Sequence, residues 1–227
     1  MTISPLFDLF YPRLCVVCGR RLHDDERHLC LHCLQHLPRT GFHTEASHAM
    51  EQLFRGKADI VHAIAYFYTS PQSEYRHILH HIKYHDGKEC ARYLGRLYAS
   101  ELAGSDILHD IDLIIPVPLH RKRLHSRGYN QSEWIARGIA EVIGIPLDTR
   151  SLIRYVANPS QTRLSLYERW INTQSIFALS DSHNIQGRNI LLIDDIVTTG
   201  ATLLACVNTL NEAYPGSVSL LTLSIAR

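Results

Sequence analysis

The sequence contains no apolar segment long enough to cross a membrane. Its longest apolar runs, at residues 113–119 and 190–193, fall far short of the roughly 18 residues that a membrane span needs, and two prolines interrupt the first. No basic stretch precedes the apolar residues of the first fourteen positions, where Asp8 also lies, so a secretory signal is not expected. We therefore expect a cytoplasmic protein, in which thiols stay reduced.

The sequence also lacks an excess of either charge. Its 227 residues include 23 Lys and Arg against 22 Asp and Glu, and this balance excludes a protein-wide basic field for nucleic acid but not a local basic patch. Two nucleotide-binding motifs are missing as well. Both Gly-Lys pairs run into residues other than Ser or Thr (Ala58 and Glu89), and no G-x-G-x-x-G follows a predicted strand. P-loop and dinucleotide-binding folds are therefore disfavoured.

Four of the six cysteines are concentrated near the N-terminus. Cys15 and Cys18 form one Cys-x-x-Cys pair, and Cys30 and Cys33 form a second pair after eleven residues. Two such pairs can bring four thiolates to one tetrahedral zinc ion with Zn–S distances of about 2.3 Å. A redox pair or two disulfides would not explain why the motif occurs twice in one short segment. We therefore expect a structural Zn²⁺ site.

The remaining cysteines and the nearby histidines have plainer explanations. Fifteen histidines are many for this chain, and those at positions 23, 28, 32 and 36 could replace a cysteine or bind a second ion. Because four cysteines already complete a closed site, we expect these histidines to be solvated. Cys90 and Cys206 stand alone in helical patterns and are expected to be small buried hydrophobic residues.

Beyond residue 57, short apolar strands alternate with amphipathic helices. This pattern predicts an α/β fold in which helices cover both faces of a parallel sheet. Residues 1–40 are expected to form a zinc-ribbon module, residues 41–57 a linker or short helix, and residues 58–227 the α/β domain. The predicted strands are residues 60–68, 111–117, 190–193 and 217–225, and the predicted helices are residues 74–84, 88–102, 131–143 and 201–214.

The segment after the apolar run at 190–193 carries the clearest chemistry. Asp194 and Asp195 are expected at the strand tip, where they suit vicinal hydroxyls or a Mg²⁺ ion. The hydroxyl-rich turn that follows opens a helix, and its N–H groups suit a phosphate dianion better than a plain helix cap would require. Carboxylates suited to a sugar diol, next to a turn suited to a phosphate, predict a site for a ribose 5-phosphate. The residues expected to hold the phosphate are Thr198, Thr199, Gly200, Ala201 and Thr202.

Residues 193–202 resemble the phosphoribosyl pyrophosphate (PRPP) signature of the type I phosphoribosyltransferases. The whole chain resembles the ComF family, phosphoribosyltransferase-like proteins tied to competence and DNA uptake. This second resemblance also uses the four-cysteine module and the stretches 116–120 and 127–131. A looser motif adds Gln161, Thr162, Leu164, Glu168, Arg169, Asn172 and Phe177.

The resemblance implies a type I phosphoribosyltransferase-like fold with a small N-terminal zinc ribbon. It also implies that the two aspartates contact the ribose hydroxyls and that the turn after Val117 forms a pyrophosphate loop near Arg121, Arg123 and Arg127. Residues 120–127 agree, because they hold four cationic side chains and no acidic one, although a solvated basic loop would look the same. Lys83 matches a lysine of the family and is either a second phosphate contact or a solvated helix residue.

Two functions remain open from the sequence. The first is a Mg²⁺-dependent phosphoribosyltransferase, a glycosyltransferase that displaces pyrophosphate at ribose C1 with an unknown acceptor and uses no nucleophilic side chain. The second is a non-catalytic module that binds PRPP, a nucleotide or single-stranded DNA, while its zinc ribbon docks a partner such as a DNA-uptake protein. Tyr66, Phe67 and Tyr68 could stack bases, but packing in a core strand explains them better.

Overall fold

A computed structural model of the chain describes residues 12–45, 47–155 and 176–227. Within these residues, a four-stranded parallel sheet of order β1-β6-β5-β2 forms the centre, and β3 pairs with β4 in a separate antiparallel hairpin. The strands are β1 (Ala63–Thr69), β2 (Leu113–Pro116), β3 (Leu152–Arg154), β4 (Phe177–Leu179), β5 (Asn189–Val197) and β6 (Ser217–Ala226). The helices are α1 (Leu31–Gln35), α2 (Ala49–Phe54), α3 (Arg76–Tyr84), α4 (Lys88–Leu102), α5 (Arg121–Arg127), α6 (Gln131–Ile143) and α7 (Ala201–Asn211), with a 3-10 turn at Asp106–Leu108.

The sheet is buried on both faces, as the α/β prediction requires. Strands β5 and β6 are mostly apolar and mostly buried, with seven of the nine residues of β5 and eight of the ten residues of β6 buried. Parallel strands of this kind need helices on both faces, since each side chain along the strand must find an apolar neighbour. Tyr66 and Phe67 of β1 lie in this core, which confirms the packing interpretation of those aromatic residues. Cys90 and Cys206 are also buried there, as expected.

Helices α4 and α6 pack closely because glycines face the partner helix. A Cβ atom added at Gly95 would collide with the carbonyl oxygen of Ile135, and one added at Gly138 would collide with that of Arg92. Helix α6 also packs against β2 and β5. The close helix pair therefore fixes where the N-terminus of α6 lies relative to the sheet.

The free edge of β1 is covered by the chain that leaves the cysteine segment. The backbone N–H of Thr40 donates to the carbonyl of Tyr66, and that of Tyr68 donates to the carbonyl of Pro38. Arg39 pairs with Glu101 at 3.0 Å. Residues 41–57 include helix α2, which packs against β1. The N-terminal segment is thus joined to the sheet by main-chain hydrogen bonds, an ion pair and apolar packing.

The structure corrects several predicted boundaries. Strand β5 does not end at residue 193 but runs to Val197, because its pairing with β6 continues as far as Val197 and Ile225. Asp194 and Asp195 therefore lie inside the strand rather than at its tip. The predicted basic loop at 121–127 is helix α5, which His120 and Gly128 cap. Helix α7 ends at Asn211, and the β3–β4 hairpin was not predicted. Among the described residues, no helix is both long and apolar enough to span a membrane.

Candidate functional site

Two of the segments singled out in the sequence meet at the carboxyl edge of the sheet. Strands β2 and β5 are neighbours, and Pro116 lies opposite Ile193. Just beyond this pair, the N–H of Val117 donates to the carbonyl of Ile193 at 2.8 Å. The chain then continues into α5 from β2 and into α7 from β5. Ligands of open α/β sheets bind at this edge, so the topology brings the basic helix and the hydroxyl-rich turn to one place.

The turn between β5 and α7 presents unused amide donors. In the described part of the chain, the backbone N–H groups of Thr198, Thr199, Gly200 and Thr202 have no protein acceptor. The amide of Ala201 makes only a 3.5 Å contact with the Thr199 hydroxyl. Both threonines before the helix are exposed. A helix N-terminus with free amides attracts a phosphate dianion.

Gly200 gives this turn its shape. Its φ of +77° lies in the left-handed region, where a side chain would strain the backbone. The ring of Phe54 lies beneath it, 3.0 Å from where a Cβ atom would be. Phe54 is the last residue of α2, so the segment that follows the cysteines supports the turn from below.

Asp194 is held inside the protein by helix α6. Its Oδ1 accepts hydrogen bonds from the Ser132 hydroxyl at 2.8 Å and from the amide of Asp195 at 2.9 Å. Burial raises the pKa of Asp194 to about 7, and the charge of Asp195 acts in the same direction. The Ser132 hydrogen bond and the charge of Lys83 lower this pKa, but they offset only part of the increase. In this structure the carboxyl group of Asp194 thus accepts hydrogen bonds from groups of the protein itself, one in α6 and one in its own strand.

Asp195 forms an ion pair with Lys83. Lys83 Nζ lies 2.8 Å from Asp195 Oδ2, and the two side chains are 22% and 6% exposed. Among the described residues, no group makes a hydrogen bond of regular geometry to Asp195 Oδ2. The angles of the lysine contact therefore differ from those of a hydrogen bond, although the distance is short. We interpret it as a direct charge contact. The lysine predicted as a phosphate ligand thus contacts the carboxylate predicted as a ribose ligand.

Lys83 also borders a cavity of about 590 Å³ between α3 and α5. Arg123 and Arg127 line the same cavity, whereas Arg121 lies on the same helix outside its lining. Arg127 donates to Gln131 Oε1 at 2.9 Å, and its guanidinium lies over the ring of Tyr84. Three cationic groups converge on one space here, which suits a ligand with several negative charges. The other lining residues are Tyr84, Asp86, Ser126 and Tyr129.

Tyr84 was missed in the sequence, although it follows Lys83 directly. It is 64% exposed at the end of α3, where a large aromatic side chain has no core to fill. A lone aromatic at a helix end carries no distinctive sequence signal, so only the cavity identifies it.

A second cavity is slightly larger, at about 660 Å³, but has the opposite charge. Its lining includes Glu45, Glu51, Glu101 and Asp106 and no lysine or arginine. Carboxylates repel a phosphate ligand. By the charge of its lining, the cavity beside Lys83 is therefore the better candidate for an anionic ligand.

The four N-terminal cysteines form a compact cluster that fits a metal ion. Their sulfur atoms all lie within 4.8 Å of one another, and Cys18 Sγ is 3.8 Å from Cys30 Sγ. Tetrahedral geometry with bonds of about 2.3 Å places sulfur atoms roughly 3.8 Å apart, so the spacing matches zinc. Burial raises the pKa of the Cys15 thiol, but backbone hydrogen bonds from Cys18, Cys30 and Val17 outweigh it and bring the pKa to about 7.

Within the described ranges, these cysteines are the only group of three or more His, Cys, Asp or Glu side chains close enough to share a metal. The two aspartates do not form a ready protein site for Mg²⁺, because Lys83 holds one and Ser132 binds the other. Mg²⁺ would therefore have to arrive with a phosphate ligand. The looser motif from Gln161 to Asn172 lies outside the described residues, while Phe177 is a buried residue of β4.

Comparison with known proteins agrees with this arrangement. The family model described as "Phosphoribosyl transferase domain" matches residues 129–225. The chain is 33% identical over 139 residues to DNA utilization protein YhgH of Salmonella typhimurium, a match that covers 60% of this chain and 59% of that protein. The Escherichia coli protein of the same name is 28% identical over 193 residues, or 84% and 80% of the two chains. Competence protein ComFC of Bacillus subtilis is 37% identical over 112 residues, or 49% and 43%.

Proposed function

The chain belongs to the ComF family of phosphoribosyltransferase-like proteins, and we propose that it binds PRPP or a related ribose 5-phosphate at the carboxyl edge of its sheet. One observation supports this most directly: the turn with free amides begins three residues after Asp195, and Lys83, which contacts Asp195, lines the cationic cavity beside α5. PRPP has a 5-phosphate, a ribose diol and a pyrophosphate, and each of these groups finds a complementary partner there.

The roles of the individual residues follow from their positions. Amides and hydroxyls of residues 198–202 would bind the 5-phosphate. Asp195 would accept hydrogen bonds from the ribose hydroxyls, and Asp194 would hold the strand in place through Ser132. Arg123, Arg127 and Lys83 would bind the pyrophosphate, whose Mg²⁺ we treat as part of the ligand.

We further propose that the bound sugar can be transferred. A nitrogen of the acceptor would form a bond to ribose C1, while the bond from C1 to pyrophosphate breaks and pyrophosphate keeps the electron pair. The cations around the cavity would stabilise the charge that grows on this leaving group. No nucleophilic side chain is required, so the contribution of the chain is orientation and charge. The acceptor stays unassigned.

The binding proposal is tested by calorimetric titration of the purified protein with PRPP in the presence and absence of Mg²⁺. We expect saturable binding, and we expect Thr198→Glu to abolish it, because a carboxylate at the turn repels the 5-phosphate. Ser182→Glu is the matched control, since it adds the same charge on an exposed loop before β5, at the opposite edge of the sheet. Equal binding by both variants would refute the proposed site. Pyrophosphate release with a panel of bases tests transfer.

A second candidate function is the binding of single-stranded DNA. It is favoured by helix α5, which has no buried residue and exposes Arg121, Lys122 and Arg123 without an ion-pair partner in the described part of the chain. Binding of a labelled oligonucleotide should then weaken steeply with salt. Arg121→Ala/Lys122→Ala, whose side chains do not line the cavity, should bind it more weakly and with a shallower salt dependence, because fewer counterions are released. Loss of DNA binding with intact PRPP binding would favour this function.

The N-terminal module completes the proposal. We propose that the four cysteines hold one structural Zn²⁺, that residues 1–40 form a zinc ribbon linked by residues 41–57 to the domain at 58–227, and that this module docks a DNA-uptake partner. Zinc would supply folding energy to a segment too short for a core of its own. Reduced thiolates are needed for this site, which supports a cytoplasmic location.

A further inference from the structure

The contact between Lys83 and Asp195 joins two groups that the proposed ligand would need separately. Lys83 borders the cationic cavity, yet its ammonium group lies on Asp195 Oδ2 at 2.8 Å. Among the described residues, Asp195 has no other ion-pair partner. The same lysine therefore neutralises the carboxylate in this structure.

Ribose hydroxyls and Lys83 compete for the same oxygen. The carboxylate of Asp195 is 6% exposed, so a ligand cannot reach Oδ2 freely while the ammonium group covers it. A lysine that leaves a carboxylate must find another anion, since an ammonium group without a partner is costly in a partly buried place. Asp86, the carboxylate that lines the cavity beside it, already pairs with Lys88 at 3.6 Å, so a bound pyrophosphate would supply the uncommitted anion.

We propose that Lys83 is a counter-ion switch: it holds the observed contact with Asp195 before a ligand binds and moves to the pyrophosphate of the ligand when the ribose binds Asp195. This inference rests on the proposed function. The flexible four-carbon stem of lysine, at the end of α3, permits such a change of partner without movement of the sheet. The switch makes the site selective, because a sugar phosphate without pyrophosphate must displace Lys83 and offers it no new partner.

The switch predicts opposite effects on two ligands. In Lys83→Met, ribose 5-phosphate no longer competes with an ammonium group and should bind about three- to tenfold tighter. PRPP loses its contact with Lys83, so its affinity advantage over ribose 5-phosphate should shrink. Lys57→Met is the control, because it removes the same charge at an exposed position that does not line the cavity and whose Nζ donates to the carbonyl of Leu53.

A measurement on the unmodified protein avoids any folding defect of the variant. Acylation of the Lys83 amine, followed by peptide mass spectrometry, should increase when ribose 5-phosphate is added and should stay low with PRPP. Labelling of Lys57, which is exposed and does not line the cavity, should not change with either ligand.

The failures can be told apart. If PRPP binds but Lys83→Met weakens both ligands equally, or if Lys83 labelling is the same with both ligands, the lysine is a fixed contact and the switch is wrong while the proposed function stands. If the unmodified protein binds neither ligand, both the proposed function and the switch are wrong.

Discussion

The hydroxyl of Ser132 donates a 2.8 Å hydrogen bond to the carboxyl group of Asp194, which lies 62 residues further along the chain. This contact joins the first turn of α6 to the middle of β5. Asn130, which caps the same helix, also donates to the carbonyl of Val117 at 3.0 Å. The start of α6 therefore joins the middle of β5 to the residue that follows β2.

The raised pKa of Asp194 predicts a pH-dependent stability. Burial moves this pKa from 3.8 to about 7, so between these values the folded protein keeps a proton that the unfolded chain has released. The resulting stabilisation is complete below pH 3.8 and is lost as pH rises towards 7, by at most about 1.4 kcal/mol per pH unit.

Asp194→Asn removes this titration and retains an acceptor for Ser132. The free energy of unfolding of Asp194→Asn, relative to the unmodified protein, should therefore increase from pH 5 to pH 7 and then level off, as measured by urea unfolding. Asp59→Asn, at an exposed position, is the control and should show no such trend. A constant difference across this range would contradict the buried, protonated state of Asp194.

Gly200→Ala should destabilise the fold and distort the turn after β5. The backbone at φ +77° strains any side chain by about 1–3 kcal/mol, and the new methyl group would press on Phe54 at 3.0 Å. Gly144→Ala isolates the backbone effect, because its φ is +71° with no atom within 4 Å. We expect a larger loss of stability in thermal unfolding for Gly200→Ala, and partial recovery in Phe54→Leu/Gly200→Ala. Equal losses at both glycines would show that Phe54 does not support the turn.

The two arginines at the start of α5 should differ in their effect on PRPP binding. Arg123 lines the cavity and Arg121 does not. Loss of a charge-assisted hydrogen bond of about 1.5 kcal/mol or more would weaken PRPP binding by roughly tenfold or more in Arg123→Ala. Arg121→Ala should change the affinity much less, since only a screened long-range attraction is lost. Calorimetric titration at one salt concentration compares the PRPP affinities of the two variants. Equal losses of affinity would indicate a general attraction by the positive charge of α5 instead of a direct contact of Arg123 with the ligand.

Removal of one thiolate should release the metal without loss of the main core. Cys18 is exposed, so Cys18→Ser removes a ligand but little packing. Elemental analysis should find about one zinc per chain in the unmodified protein and substantially less in Cys18→Ser. Cys90→Ala, at a buried thiol outside the cluster, should lower stability and keep the zinc. A metal content that does not depend on Cys18 would argue against the four-cysteine site.

Local signals were enough for several elements. Helices 88–102 and 131–143 were predicted with the bounds that the structure shows, since Gly87 and Gly144 mark two of their ends and apolar residues recur at helical spacing. The four sheet strands and the cysteine cluster were also located from the sequence, because their patterns depend only on neighbours along the chain. Helix α5 was missed, because a short polar helix without a buried face has no apolar periodicity.

The sequence by itself determined the α/β class, the positions of the sheet strands, the four clustered thiols, and the residue types available for a phosphate and a sugar. Tertiary structure alone decided that β5 continues past Asp194 along β6, that Phe54 supports Gly200, and that Lys83 reaches Asp195. These relationships join residues more than a hundred positions apart or depend on pairing with another strand. The packing of the whole core decides which of these distant residues meet, and the periodicity of residues along the chain does not predict it.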